Sequence, residues 1–210
     1  MTILALEFSS EQRSVAVIHG GSILGETVES GERSVTAFPM IEKVLARAKI
    51  EREEIEAIAV GLGPGSYTGV RAAIALAQGW QLARGTRTLG VSSVAAIAEQ
   101  ARTDKLFGRV SIVVDAQRGE FYFATYEIAE TSQAEIEPLK ILPKLEVQSR
   151  ANKGQILIGP EAAKISPGGR TVFPRAAAVA ALAAARGDFL PGEKLEPIYL
   201  RETNFVKAVK

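Results

Sequence analysis

The segment GLGPGSYTG, residues 61–69, is the densest glycine run in the chain and its first candidate for chemistry. It lies between the apolar stretches 55–60 and 70–77, so a glycine-rich loop joins an expected buried strand to an expected helix. Free N–H groups at a helix start attract anions, and loops of this kind often hold phosphate. The companion residues do not fit that chemistry. A Walker-type loop needs Lys followed by Ser or Thr after its last glycine, whereas Gly69 is followed by Val70-Arg71. A dinucleotide loop could use Gly63, Gly65 and Gly69, but it wants an acid at the end of the next strand, which reads Leu89-Gly90-Val91. The reading left is a structural loop, in which Gly63, Gly65 and Gly69 supply positive φ or close backbone approach and Pro64 fixes one φ.

Other chemistries narrow quickly. The chain has no cysteine, which excludes disulfides and thiolate catalysis, and its one histidine, His19, cannot build a two-histidine metal site. His19 sits at an expected hairpin end and reads as a surface turn residue. Asp115, with Arg118 and Glu120 nearby, offers an acid-base cluster at a strand end. The same run, Asp-Ala-Gln-Arg-Gly-Glu, is also a good hairpin turn, with Asp115 capping, Gly119 turning and Arg118 free for a contact between lobes. No nucleophile or metal partner can be named for the catalytic version. Twenty-five basic residues against 24 acidic ones leave a net charge of +1, so no global field favours nucleic acid. No apolar run approaches the roughly 20 residues of a membrane span, and the start of the chain lacks a basic signal-peptide region; a cytoplasmic protein without membrane contact is expected.

The elements that must position these residues come in two similar series. Apolar segments at 3–8, 14–18 and 22–28, the second and third split by Gly20-Gly21, predict three strands with hairpin connections. A helix over 36–48, a strand at 55–60, a helix over 68–84, a strand at 88–91 and a helix at 92–101 come next. Strands at 110–114, 121–128 and 135–139, a helix at 145–150, a strand at 155–158 and an alanine-rich helix at 176–186 repeat the order. This predicts a duplicated α/β unit of the actin-like kind, with lobes at 1–101 and 102–210 and a polar boundary near 102–109. The helix after the glycine loop is apolar nearly all round, so more than one of its sides must be covered. Whether the second cover comes from this chain or from another subunit stays open on these grounds.

GLGPGSYTGVRAAIALAQGWQ (61–81) resembles the signature of the TsaB, or YeaZ, family. VDAQRGEFYFATY (114–126) and PIYLRETNFVKA (197–208) resemble its second and C-terminal signatures, in the same order along the chain. The resemblance implies an actin-like (ASKHA, ribonuclease-H-like) fold of duplicated βββαβα lobes and a role in making threonylcarbamoyladenosine on tRNA, next to the anticodon. It implies a non-catalytic subunit with no catalytic residue, cofactor or metal of its own. Its partners would be a TsaD-type catalytic subunit, a TsaE-type ATPase, a second copy when alone, and tRNA through the complex. Pairing would use the first two helices of the N-terminal lobe, through Phe38, Ile41 and Leu45 on one and Ala73, Ile74, Ala77, Gln78 and Gln81 on the other. Two departures stand out. Glu7-Phe8-Ser9-Ser10 replaces the Asp-Thr-Ser found after the first strand in many relatives, and Arg33-Ser34-Val35-Thr36-Ala37 lacks their His and Glu. The alternative is a standalone actin-like ATPase or phosphotransferase using Glu7 and Asp115, with a glycoprotease-like peptidase third.

Overall fold

The computed structural model describes residues 1–31 and 37–201. The motif at Arg33 to Thr36, and the tail lysines Lys207 and Lys210 that extend the basic end after Arg201, lie outside the described residues. The first series runs β1 (Thr2–Glu7), β2 (Gln12–His19), β3 (Ser22–Ser30), α1 (Ala37–Ala48), β4 (Ala57–Gly61), α2 (Tyr67–Arg84), β5 (Arg87–Val91) and α3 (Ser93–Thr103). The second runs β6 (Gly108–Asp115), β7 (Glu120–Ile128), β8 (Gln133–Pro143), α4 (Lys144–Asn152), β9 (Ile156–Gly159), α5 (Ala162–Ile165), β10 (Arg170–Thr171) and α6 (Ala176–Ala184). One sheet has the order β3-β2-β1-β4-β5 and the other, read in the same sense, β8-β7-β6-β9-β10. In both, the first three strands are antiparallel and the last two join in parallel. The fold is α/β and actin-like, with one architecture used twice. α5 and β10 have no counterpart in the sequence reading, because four and two residues are too few to show a period.

Strand alternation assigns each sheet face to a different cover. On β1, Leu4 and Leu6 join Val15, Val17, Ile58 and Val60 against α1 and α2, through Met40, Ile41, Val44, Leu45, Val70, Ala73 and Ala77. The opposite face carries Ile3, Ala5, Ala16, Ala57 and Ala59, and its cover is α6, through Ala176, Val179, Ala180 and Ala183. A sheet face lined by alanines leaves room only for a closely approaching helix, and an alanine-rich helix can approach that closely. This corrects the simple two-lobe reading, which leaves α6 with the second lobe. α3 makes the reverse exchange: Val94, Ile97, Ala98 and Ala101 pack on Val110, Ile112, Ala124 and Tyr126 of the second sheet. α4 and α5 cover the far face, with Val147, Ala162 and Ile165 against Phe123 and Leu157. We propose residues 1–101 and 102–210 as the two repeats, joined by this exchange of helices.

Candidate functional site

The glycine loop is built against the exit of β1. A Cβ on Gly69 would collide with the Phe8 carbonyl oxygen, and one on Gly65, where φ is 149°, would collide with that of Ser9. Close approach lets the Ser66 amide donate to the Ser9 carbonyl at 2.6 Å. The Ser66 hydroxyl then caps α2 by accepting from the Gly69 amide at 3.2 Å. The Gly63 amide donates to Ser93 Oγ at 3.1 Å, while Gly63 accepts from the Ser93 amide at 2.9 Å. Pro64 is buried between these contacts. Three of the N–H groups that a phosphate would need are thus engaged by the protein itself.

Glu7 is turned away from the cleft and is 0% exposed. Its carboxylate accepts from the Ser9 amide at 2.7 Å and from the Ser93 hydroxyl at 2.7 Å, and Gly61 leaves the room it occupies. Burial pushes its pKa up, against the opposing effect of the Ser9 and Ser93 hydrogen bonds. A raised native pKa means that the native state holds the proton more tightly than the unfolded chain. Glu7's contribution to stability is therefore complete below the ordinary 4.5 and is lost as pH rises through the raised native value. Glu7→Gln should remove this slope, so urea midpoints measured at about pH 5 and about pH 8 should differ less in the variant than in the parent. An equal difference in both proteins would show that folding does not raise the Glu7 pKa.

Between the lobes lies a cleft of about 570 Å³, lined by Ser9, Glu11 and Arg13 after β1, by Ser66, Tyr67 and Thr68, and by Asp115, Gln117 and Glu161 from the second lobe. Asp115 accepts from the Gln117 amide at 2.8 Å, and its own amide donates to Glu161 at 2.9 Å. The first is a turn contact, and the second ties the end of β6 to the segment before α5. Arg118 and Gly119 stand exposed at the tip, the Gly119 carbonyl accepts from the Lys144 amide at 3.0 Å, and Glu120 pairs with Arg201. Burial raises the Glu161 pKa, and the adjacent Asp115 charge adds to the rise. A cleft lined by three carboxylates opposes a polyphosphate electrostatically, and Glu7 and Asp115 do not meet there as a pair of acids. Among the described residues no cluster of three or more His, Asp or Glu is placed to share a metal ion. His19 is exposed at its hairpin and hydrogen-bonds Thr2 Oγ1 at 2.9 Å.

α1 and α2 form the other notable surface, and here the sequence reading needs correction. Ile41, Leu45, Ala73, Ile74 and Ala77 are buried against the chain's own first sheet. Gln78 and Gln81 hold Gly192, Gln78 donating to its carbonyl at 2.9 Å and Gln81 accepting from its amide at 2.6 Å. Phe38, 63% exposed, stands free of the core and lines the groove between the helices together with the buried Ile41, and Gln78 is exposed at its contact with Gly192. The open face is one helical phase away, where Ala72, Ala75, Gly79 and Ala83 are exposed beside Leu82, which is 91% exposed. A groove of about 530 Å³ runs there between the helices, with Phe38, Ala75, Leu76, Gly79 and Trp80 along it. Its rim carries two ion pairs, Arg52 with Glu42 and Arg84 with Glu53. Positions 72, 75, 76, 79 and 83 have the same helical spacing as the buried stripe 70, 73, 74 and 77. Periodicity alone therefore offers two equivalent faces and cannot say which meets the sheet.

Among the described residues no helix is long and apolar enough to cross a membrane. The family described as "TsaD: tRNA N6-adenosine threonylcarbamoyltransferase" matches residues 14–183. The chain is 29% identical over 219 residues to the tRNA threonylcarbamoyladenosine biosynthesis protein TsaB of Escherichia coli K12, covering 96% of this chain and 95% of that protein. The Bacillus subtilis protein of the same name is 31% identical over 132 residues, which cover 60% of this chain and 56% of it. YeaZ from Pseudomonas aeruginosa superposes with a TM-score of 0.82 at 29% identity, over 95% of this chain and 99% of that one. With the glycine loop, the Asp115 turn and the duplicated topology all in place, the chain belongs to the TsaB (YeaZ) family.

Proposed function

We propose that this protein is a non-catalytic scaffold and activator subunit in threonylcarbamoylation of tRNA adenosine next to the anticodon. It pairs with a TsaD-type catalytic subunit, and a TsaE-type ATPase joins the pair. Alone, it forms a homodimer through the same surface, in the cytoplasm. The observation that carries this reading is the open apolar groove between α1 and α2, with its charged rim. An apolar centre ringed by polar groups is the anatomy of a protein interface, and small residues at Ala75 and Gly79 let a partner's helix come close. A like surface on a TsaD-type subunit could replace one copy of the homodimer. The inward-facing Glu7 and the self-satisfied glycine loop support the absence of phosphotransfer chemistry in this subunit.

Sedimentation velocity tests the pairing. Mixed with a TsaD-type subunit, the chain is expected to give a one-to-one complex at the expense of its own dimer. A mixture that sediments as two independent species would overturn the reading.

A further inference from the structure

We propose that residues 191–201 act as a clasp that sets how far the two lobes open. Its root is fixed to the first lobe. Gly192 is held from both sides by Gln78 and Gln81 of α2, Leu195 is buried in the core beneath α1 and α2, and the Ile198 amide donates to the Leu62 carbonyl at 2.9 Å. Its tip then crosses to the second lobe. Tyr199 still stacks on the first lobe, on Tyr67 of α2 with ring centres 5.7 Å apart, and the crossing itself is made by Arg201, which pairs with Glu120 at the start of β7. Tyr67 itself lines the cleft, and Arg71 lies 4.1 Å from its ring centre.

Root and tip differ in strength for a physical reason. The root uses buried apolar contact and backbone hydrogen bonds. The crossing at the tip uses an ion pair whose side chains are 31% and 41% exposed. Exposed ion pairs contribute little and are screened by salt. The tip can therefore release while the root stays in place, which makes it a latch on lobe separation and not a fixed strut.

The chain has no cysteine, so two introduced thiols can be labelled without background. Ser22 and Ser149 are exposed, one in each lobe, and Ser22→Cys with Ser149→Cys carries a spin-label pair across the molecule. Pulsed electron resonance should show one narrow distance in the parent. Arg201→Glu should broaden it or lengthen it by several ångströms, and adding Glu120→Arg should restore it. About 1 M salt, where the screening length falls to roughly 3 Å, should move the parent the same way. Glu120→Gln should repeat the effect if Arg201→Glu fails to fold. An unchanged distribution in Arg201→Glu, or a charge exchange that restores nothing, would overturn the clasp.

Discussion

Gly69→Val is expected to destabilise the chain by about 3 kcal/mol, the upper end of over-packing, and to lower its melting temperature by roughly 6–12 °C. The reason is the wall it meets. A Cβ at Gly69 points into the Phe8 carbonyl oxygen, which is backbone and cannot rotate away as a side chain would. The valine must push α2 off the exit of β1, breaking the Ser66 amide bond to Ser9 and the Ser66 cap together. Gly79→Ala is the matched control, since a Cβ there meets nothing within 4 Å. It should leave the melting temperature the same or slightly raised, because alanine favours the helix. Calorimetry of the two variants decides the matter. Equal melting temperatures would mean that the glycine loop does not depend on contact with β1.

The second large effect separates two residues on one helix. Ala73 is 0% exposed against the sheet, and Ala75, about 200° further round α2, lines the open groove. Ala73→Glu should cost on the order of 4 kcal/mol, since it strands a charge in an apolar core, and much of the chain should be unfolded. Ala75→Arg should change stability by less than about 0.5 kcal/mol, as surface substitutions do. It should instead weaken association at least about 30-fold, equivalent to about 2 kcal/mol or more at an interface centre. Circular dichroism reads the first effect and sedimentation the second. If Ala75→Arg folds and still associates normally, the groove between α1 and α2 is not the partner face.

The longer strands and helices and their duplication are legible in the sequence because each is long enough to show its period, which α5 and β10 are not. β1 has a buried apolar run from Ile3 to Leu6, and α1 carries its stripe at Ile41, Val44, Leu45 and Ala48. The loop's departure from a phosphate-loop signature is also plain, because Val70-Arg71 stands after Gly69 where a phosphate loop carries Lys and a hydroxyl. Three features are not. The exchange of α3 and α6 depends on which sheet face is lined by alanines, and that face is set by strands distant in sequence. The open face of α2 is hidden because both of its stripes are apolar, and only the contact with the sheet distinguishes Ala73 from Ala75. Glu7's inward turn rests on Ser93, 86 residues away, a pairing that no local pattern encodes.

We propose that this chain is required for tRNA threonylcarbamoylation without performing it. The direct measurement is modified adenosine in tRNA, read by mass spectrometry after incubation with threonylcarbamoyl-adenylate, ATP and defined subunits. Modification is predicted when the chain is combined with the TsaD-type and TsaE-type subunits, with loss on omitting the chain or on replacing it with Ala75→Arg. Modified adenosine formed by the chain with the TsaD-type subunit left out, or formed equally well without the chain, would contradict the account.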